Sequence, residues 1–146
     1  CHRGGGVGTP PLYGLAKALS QNGAAPTVAL GFASAGDVFY TGEFEALGCE
    51  VFLATDDGTA GRAGFVTGLL EELDFDYYYT CGPGPMLRAV YTLCEKRGIP
   101  GQLSFEERMG CGFGVCMGCS CHTKGGAKKV CTDGPVFESA EVIFDA

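Results

Sequence analysis

The sequence predicts an α/β protein: a parallel-sheet nucleotide-binding domain over residues 1–100, followed by a small β-rich cluster-binding module over residues 101–146. Helical and strand patterns alternate over residues 1–98, which is typical of βαβ units. Two glycine-rich loops stand where such units bind ligands, beyond the carboxyl ends of the strands. Five of the nine cysteines crowd into residues 111–131, where the pattern changes to short β segments. These three observations carry the prediction.

The first helix is predicted to begin at Thr9-Pro10-Pro11, because proline is tolerated in the first helical turn. Apolar residues then recur at helical spacing, and Gly23 ends the helix. The pattern that follows predicts strands at Thr27–Phe32, Glu50–Ala54 and Asp76–Thr80. It predicts helices at Asp37–Leu47, Phe65–Leu73 and Met86–Gly98. In the cluster-binding module it predicts strands at Gln102–Phe105, Lys128–Val130 and Glu141–Phe144.

Composition and charge exclude several classes of protein. Apolar residues make up 46% of the chain and charged residues 18%, which favours a folded domain. A net charge of -7 argues against nucleic acid as a partner, because such binding depends on Lys and Arg. No apolar run approaches the ~20 residues that cross a bilayer. The dense local group of cysteines indicates metal binding in a reducing compartment, so we expect a cytoplasmic protein.

The front of the chain predicts a fragment. The first methionine is Met86, and Cys1-His2-Arg3-Gly4 is not a translation start. A hydrophobic strand is expected before the first glycine-rich loop, yet only Cys1, His2 and Arg3 stand there. We therefore expect the first strand of the nucleotide-binding domain to be missing.

Both glycine-rich loops precede a predicted helix. Gly4–Pro11 lies before the first helix and Cys81–Met86 before the last. Helix N-termini present unpaired N–H groups and a positive dipole end, so a pyrophosphate fits there. A tight structural turn is the alternative for each loop. Cys81 is a candidate for the nicotinamide site, or a small buried thiol that fills space.

The cysteine spacing gives the most specific chemical prediction. Cys111, Cys116, Cys119 and Cys131 form C-x4-C-x2-C…C, the spacing of a plant-type [2Fe–2S] centre. Glycines between them permit positive φ and let backbone N–H groups approach the sulfur atoms. Structural zinc, a disulfide and inert buried thiols are the alternatives. Cys121 is a possible substitute ligand, although the spacing favours Cys131.

Together these motifs resemble the electron-transfer subunit of the two-subunit, NAD-dependent dihydroorotate dehydrogenase, in the ferredoxin-reductase superfamily. The resemblance runs the length of the chain. It rests on Gly4–Tyr13, Ala54–Gly58, Cys81–Met86, Glu107–Gly112 and Cys131–Phe137. The two stretches that bracket the cysteines are the most specific.

The resemblance implies cofactors and residues to bind them. It implies NAD, FAD and a [2Fe–2S] cluster, with the four cysteines named above as ligands and no catalytic residue on this chain. The cofactor-binding residues that it implies are Gly5, Gly6, Gly8, Thr9, Pro10, Asp56, Asp57, Cys81, Gly82, Pro83 and Met86.

The resemblance also implies an activity and a partner. Electrons pass between NAD, FAD and the cluster, and then to an FMN-containing catalytic subunit that oxidises dihydroorotate in pyrimidine biosynthesis, within a heterotetramer. Asp37 and the lack of a nearby Arg favour NAD over NADP. The family's FAD-binding barrel is absent from the sequence, so we expect weak or no FAD binding and no activity of this fragment alone.

Two other functions are compatible with the residues. One is another flavin and iron–sulfur NAD(P)H oxidoreductase subunit that serves a hydrogenase or a ferredoxin. The other is a zinc-binding module without a redox role.

Overall fold

The structure is a computed structural model that describes residues 6–144. The chain divides into two compact units, Cys1–Asp74 and Phe75–Ala146. Each unit has its own sheet and its own buried residues. The domain boundary predicted between residues 100 and 101 lies elsewhere than this division, and it stays a prediction.

The first unit is built around a parallel sheet. Strand β1 (Thr27–Phe32) pairs with β2 (Glu50–Thr55) along its whole length, and β2 pairs with the two-residue strand β3 (Arg62–Ala63). Three helices accompany the sheet: α1 (Thr9–Gln21), α2 (Thr41–Ala46) and α3 (Val66–Glu72).

Alternate residues of β1 are buried, as expected of a strand with helices packed on it. They join residues of α1 and α2 in one apolar cluster, which consists of Ala16, Val28, Leu30, Phe32, Phe44 and Cys49. Phe44 is fully buried. Burying a side chain of this size contributes about 1.5–3 kcal/mol.

The second unit combines a parallel strand pair with an antiparallel edge. Strand β4 (Tyr78–Gly82) pairs in parallel with β5 (Gly101–Phe105), and helix α4 (Gly84–Lys96) connects them. Strand β8 (Val136–Glu138) pairs antiparallel with β5. A separate hairpin is formed by β6 (Ser120–Thr123) and β7 (Gly126–Lys129), and the helical turn α5 (Val130–Asp133) follows it.

The packing of β4 on β5 requires a residue without a side chain at the start of β5. A Cβ atom at Gly101 would lie 2.3 Å from the Tyr78 ring. Leu87 and Leu103 are fully buried in this unit, and Phe137 is 2% exposed. These residues join α4, β5 and β8 into one core.

Several predicted elements differ in extent from the structure. The helix predicted at Asp37–Leu47 is wrong in its first half: a 3-10 turn covers Ala35–Asp37, and Tyr40 at φ 70° separates it from α2. The strand predicted at Asp76–Thr80 lies two residues later, at β4. The predicted strand Lys128–Val130 ends at Lys129, because Val130 begins α5.

The strand predicted at Glu141–Phe144 is wrong. That segment makes a single bridge, between Val142 and Thr123. The sequence patterns also did not predict strands β3, β6 and β8. Within residues 6–144, no helix is long and apolar enough to span a lipid bilayer.

Candidate metal centre and nucleotide loops

Three of the four predicted ligand cysteines lie in the loop between β5 and β6. This loop contains no helix or strand. Gly112 and Gly114 have φ values of +73° and +85°, in the left-handed region that side chains disfavour. The glycines therefore let the backbone curl around the thiols of Cys111 and Cys116.

The curled loop directs N–H groups at the Cys111 sulfur. The Cys116 N–H donates to Cys111 Sγ at 3.4 Å. Hydrogen bonds from the N–H groups of Cys116, Phe113 and Val115, together with the Cys116 side chain, lower the pKa of Cys111 to about 6. Because the thiolate is the form that binds metal, this loop prepares Cys111 as a ligand.

Cys119 and Cys131 form a second thiol pair. The Val130 N–H donates to the Cys119 carbonyl at 3.0 Å, which joins the start of α5 to the cysteine loop. A hydrogen bond with the Cys119 side chain raises the pKa of Cys131, and burial adds to the effect. The fourth predicted ligand, Cys131, thus lies beside Cys119 at the start of α5.

The four thiols supply the kind and number of donors that a two-iron cluster takes. The thiols lie in two contacting pairs, Cys111 with Cys116 and Cys119 with Cys131. Within residues 6–144, no three His, Cys, Asp or Glu side chains converge as a one-ion site requires. A [2Fe–2S] cluster takes four thiolates over two iron atoms. The donor set present therefore fits the predicted cluster.

Cys121 belongs to neither thiol pair. It lies on β6, opposite Lys128, and is 7% exposed. Burial raises the pKa of Cys121, and the carboxylates of Glu107 and Glu141 add to this effect. A substitute-ligand role for Cys121 finds no support in these contacts.

Apolar side chains surround the cysteines and point to solvent. Phe113, Val115 and Met117 are 69%, 72% and 60% exposed, and Met109 is 48% exposed. We call these four residues the apolar rim. A concentration of exposed apolar side chains is typical of an interaction surface.

The first glycine loop leads directly into α1. Gly5 lies outside the described residues. Gly6 and Gly8 lie in the turn before the helix, and the Leu12 N–H donates to the Gly8 carbonyl at 3.4 Å. Thr9 is 2% exposed at the first position of α1, and Pro10 is exposed in the same turn. The turn thus has the helix N-terminus that a phosphate requires.

Asp57 takes part in a turn that joins the ends of β1 and β2. Its carboxylate accepts hydrogen bonds from the Thr59 N–H at 3.0 Å and the Thr59 hydroxyl at 2.6 Å. These bonds lower the pKa of Asp57. The Ala35 N–H donates to the Thr59 hydroxyl oxygen at 2.8 Å. The N–H of Asp56 donates to the Phe32 carbonyl at 3.0 Å.

Asp37 closes the turn after β1. Its carboxylate accepts hydrogen bonds from the Ser34 N–H at 3.2 Å and the Ser34 hydroxyl at 2.8 Å. Both donors of Ser34 are therefore engaged by a carboxylate.

The second glycine loop lies between β4 and α4. Cys81 is 6% exposed in β4, and burial raises its pKa. Gly82 ends the strand at φ +155°, and Pro83 precedes α4. The Met86 N–H donates to the Pro83 carbonyl at 2.9 Å.

The second unit contains a cleft that the sequence analysis did not predict. Its volume is about 510 Å³. It lies between the N-terminus of α4, the end of β5, strand β6 and residues 143–144. Phe105 and Phe144 stack there with ring centroids 5.8 Å apart. No sequence spacing indicated it, because its walls come from four separate segments.

Comparisons with known proteins show what the chain is similar to. Residues 106–143 match the family described as the iron–sulfur cluster binding domain of dihydroorotate dehydrogenase B. The chain is 53% identical to the electron transfer subunit of dihydroorotate dehydrogenase B (NAD(+)) from Geobacillus thermodenitrificans, and 50% identical to that from Shouchella clausii. Each match covers 97% of this chain and 56% of the relative, so the chain spans just over half their length.

A solved structure supports the fold. A chain from the structure of NADH-dependent reduced ferredoxin–NADP oxidoreductase, a study of flavin-based electron bifurcation, matches with a TM-score of 0.80 at 31% identity. The match covers 94% of this chain and 51% of that one. The predicted α/β fold of ferredoxin-reductase type is confirmed.

Proposed function

We propose that this chain transfers electrons between NAD(H), FAD and a [2Fe–2S] cluster. In this role it couples a dihydroorotate dehydrogenase catalytic subunit to NAD⁺ in pyrimidine biosynthesis. Its residues 106–143 match the iron–sulfur cluster binding domain of dihydroorotate dehydrogenase B. The two thiol pairs inside the matched residues are the observation that carries the proposal.

The proposed ligands are Cys111, Cys116, Cys119 and Cys131. When bound, a [2Fe–2S] cluster takes up and releases one electron at a time, which a nicotinamide does not. The chain's own part is to hold the thiolates and to stabilise their charge. The Cys116 N–H, which donates to Cys111 Sγ at 3.4 Å, performs the second task.

The two glycine loops are the proposed nucleotide contacts. We assign the pyrophosphate to the turn at Gly5, Gly6, Gly8, Thr9 and Pro10, because N–H groups at the start of α1 suit an anion. The nicotinamide is assigned to Cys81, Gly82, Pro83 and Met86. Asp56 and Asp57 are kept as proposed contacts of a second ligand, although Asp57 already accepts two bonds from Thr59.

The proposed partner is the FMN-containing catalytic subunit of dihydroorotate dehydrogenase, in a cytoplasmic heterotetramer. The apolar rim supports a docking surface close to the thiols, since large exposed apolar patches are uncommon on monomeric proteins. Docking there would bring the partner next to the cluster ligands, so that electrons cross a short distance.

The test uses the complete electron transfer subunit assembled with its catalytic subunit, and follows NADH formation from dihydroorotate and NAD⁺. Cys131→Ser removes a proposed ligand in α5, and Cys121→Ser, on strand β6 of the preceding hairpin, is the matched control. We expect Cys131→Ser to lose nearly all activity and Cys121→Ser to keep at least half. Equal activity of the two variants contradicts the proposed ligand set.

A second function is favoured by the solved structure at a TM-score of 0.80. In this alternative the chain serves another flavin-dependent NAD(P)H oxidoreductase with a ferredoxin or hydrogenase partner. The same assay separates the two functions. The alternative is supported if the complete subunit, with its cofactors bound, reduces ferredoxin with NADH. It must also form no NADH from dihydroorotate when it is assembled with the catalytic subunit.

A further inference from the structure

The hairpin of β6 and β7 belongs to a sheet of its own. In the part of the chain that the structure describes, neither strand pairs with β4, β5 or β8. The hairpin directly follows the cysteine loop, since Cys119 is the residue before β6. Its position against the larger sheet of the second unit therefore depends on contacts outside these strands.

Residues 141–144 bind the hairpin along one edge. The Lys124 N–H donates to the Glu141 carbonyl at 2.8 Å, and the Ile143 N–H donates to the His122 carbonyl at 2.9 Å. These two bonds flank the single bridge between this segment and β6. We call residues 141–144 the strap.

The first residue of the strap also holds the hairpin through its side chain. Glu141 Oε2 pairs with Lys128 Nζ on β7 at 2.5 Å. Glu141 Oε1 accepts a hydrogen bond from the Glu138 N–H at 3.2 Å, and Glu138 is the last residue of β8. One carboxylate therefore joins the hairpin to the end of β8.

The last residue of the strap reaches α4 and β5. The centre of the Phe144 ring lies 5.1 Å from that of Tyr91 on α4 and 5.8 Å from that of Phe105 on β5. Aromatic pairs at such separations attract each other beyond the effect of the area that they bury. Phe144 therefore fastens the strap, and with it the hairpin, to α4 and β5.

We infer that Phe144 is a positioning residue, which fixes the hairpin after the proposed ligand Cys119 against α4, the helix that follows the proposed nicotinamide loop. Because the nicotinamide must meet the flavin to transfer its hydride, a hairpin fixed to α4 is also fixed relative to the flavin. A displacement of about 1 Å can slow a reaction by about a hundredfold. The inference rests on the proposed function, since it requires the cluster at the cysteine loop.

Three variants separate the strap contact from a general loss of packing. Phe144→Ala removes both ring contacts, whereas Phe144→Tyr keeps them. Phe75→Ala is the matched control. Phe75 is also a half-buried aromatic residue of the second unit, and the Arg97 guanidinium lies over its ring at 5.0 Å.

The first measurement is hydrogen exchange by mass spectrometry on the complete subunit, in peptides that contain Lys124 or Ile143. The N–H groups of these residues form the bonds between strap and hairpin. We therefore expect exchange there to be about tenfold faster in Phe144→Ala than in wild type. Phe144→Tyr and Phe75→Ala are expected to stay within about twofold of wild type.

The second measurement is the rate at which NADH reduces the cluster in the loaded holoprotein, followed by stopped-flow absorption. NADH is oxidised to NAD⁺, its hydride passes to FAD, and the cluster accepts one electron at a time from there. We expect Phe144→Ala to slow this reduction at least about tenfold, with an unchanged reduction potential of the cluster. Phe144→Tyr and Phe75→Ala are expected to keep the wild-type rate.

The outcomes are distinguishable. Faster exchange with an unchanged rate of reduction contradicts the inference, because the ring would then only stabilise the fold. Unchanged exchange in Phe144→Ala, a shifted potential, or equal slowing in Phe75→Ala also contradicts it. If Phe144→Ala does not fold, Phe144→Leu decides by the same two measurements, and wild-type values overturn the inference. A wild-type cluster that NADH does not reduce refutes the proposed function instead.

Discussion

Gly114→Ala places a methyl group at the contact between the cysteine loop and α5. The new Cβ lies 2.9 Å from Thr132 Cγ2, at a φ of +85°. The left-handed conformation costs a residue with a side chain about 1–2 kcal/mol, and overpacking adds about 1–3 kcal/mol. We therefore expect about 2–5 kcal/mol of destabilisation at the contact between the cysteine loop and α5.

Gly112→Ala is the matched control. Gly112 has a similar φ of +73°, but no other atom lies within 4 Å of its Cβ position. This variant is therefore expected to show the backbone cost of about 1–2 kcal/mol alone. Thr132→Ser removes Cγ2, so the double variant Gly114→Ala/Thr132→Ser is expected to behave like Gly112→Ala.

The assay is the rate of cluster loss to a chelator, measured as the decay of visible absorbance in the loaded protein. Gly114→Ala is expected to lose its cluster at least about fivefold faster than Gly112→Ala, because overpacking adds at least about 1 kcal/mol and each 1.4 kcal/mol corresponds to about tenfold in a population. Equal rates for the two glycine variants would refute the packing argument. So would a double variant that loses its cluster as fast as Gly114→Ala.

Three further predictions follow from individual side chains. Burial raises the pKa of Tyr78 to about 12, whereas an unfolded tyrosine titrates near ~10. Tyr78 therefore stays protonated to a higher pH in the folded state than in the unfolded state. As the pH rises from ~10 to ~12, the free energy of unfolding falls by about 2 kcal/mol. Tyr78→Phe should remove this loss in urea titrations, and an unchanged pH dependence would contradict the assignment. Asp37→Ser frees both Ser34 donors and removes a carboxylate. The affinity for NADPH relative to NADH should therefore rise about tenfold in fluorescence titrations of the complete subunit. An unchanged affinity ratio would show that this turn does not select between NADH and NADPH. Replacing Phe113 and Val115 by Ser should weaken association with the catalytic subunit about tenfold or more in calorimetry, with unchanged circular dichroism, and full affinity would show that the partner docks elsewhere.

The elements with strong periodic patterns were predictable. Helix α1 and strands β1 and β2 lie within one or two residues of their predicted positions. Their apolar residues face one core, so local pattern and tertiary packing agree. The four cysteines that we propose as cluster ligands were also singled out by their spacing alone.

The small strands of the second unit were not predictable from local pattern. Strand β6 reads Ser-Cys-His-Thr and β8 reads Val-Phe-Glu, which are too short and too polar to show alternation. Their pairing partners are supplied by tertiary contacts. The hydrogen bond from Lys129 to Gly114 spans fifteen residues, and no sequence periodicity encodes a contact of this kind.

The most direct test of the central claim is the content of iron, acid-labile sulfide and zinc in the protein prepared without oxygen, together with its visible spectrum. The proposed function predicts about two irons and two sulfides per chain, with the absorption of an oxidised [2Fe–2S] cluster that bleaches on reduction. A colourless protein that contains zinc and no sulfide would contradict the account.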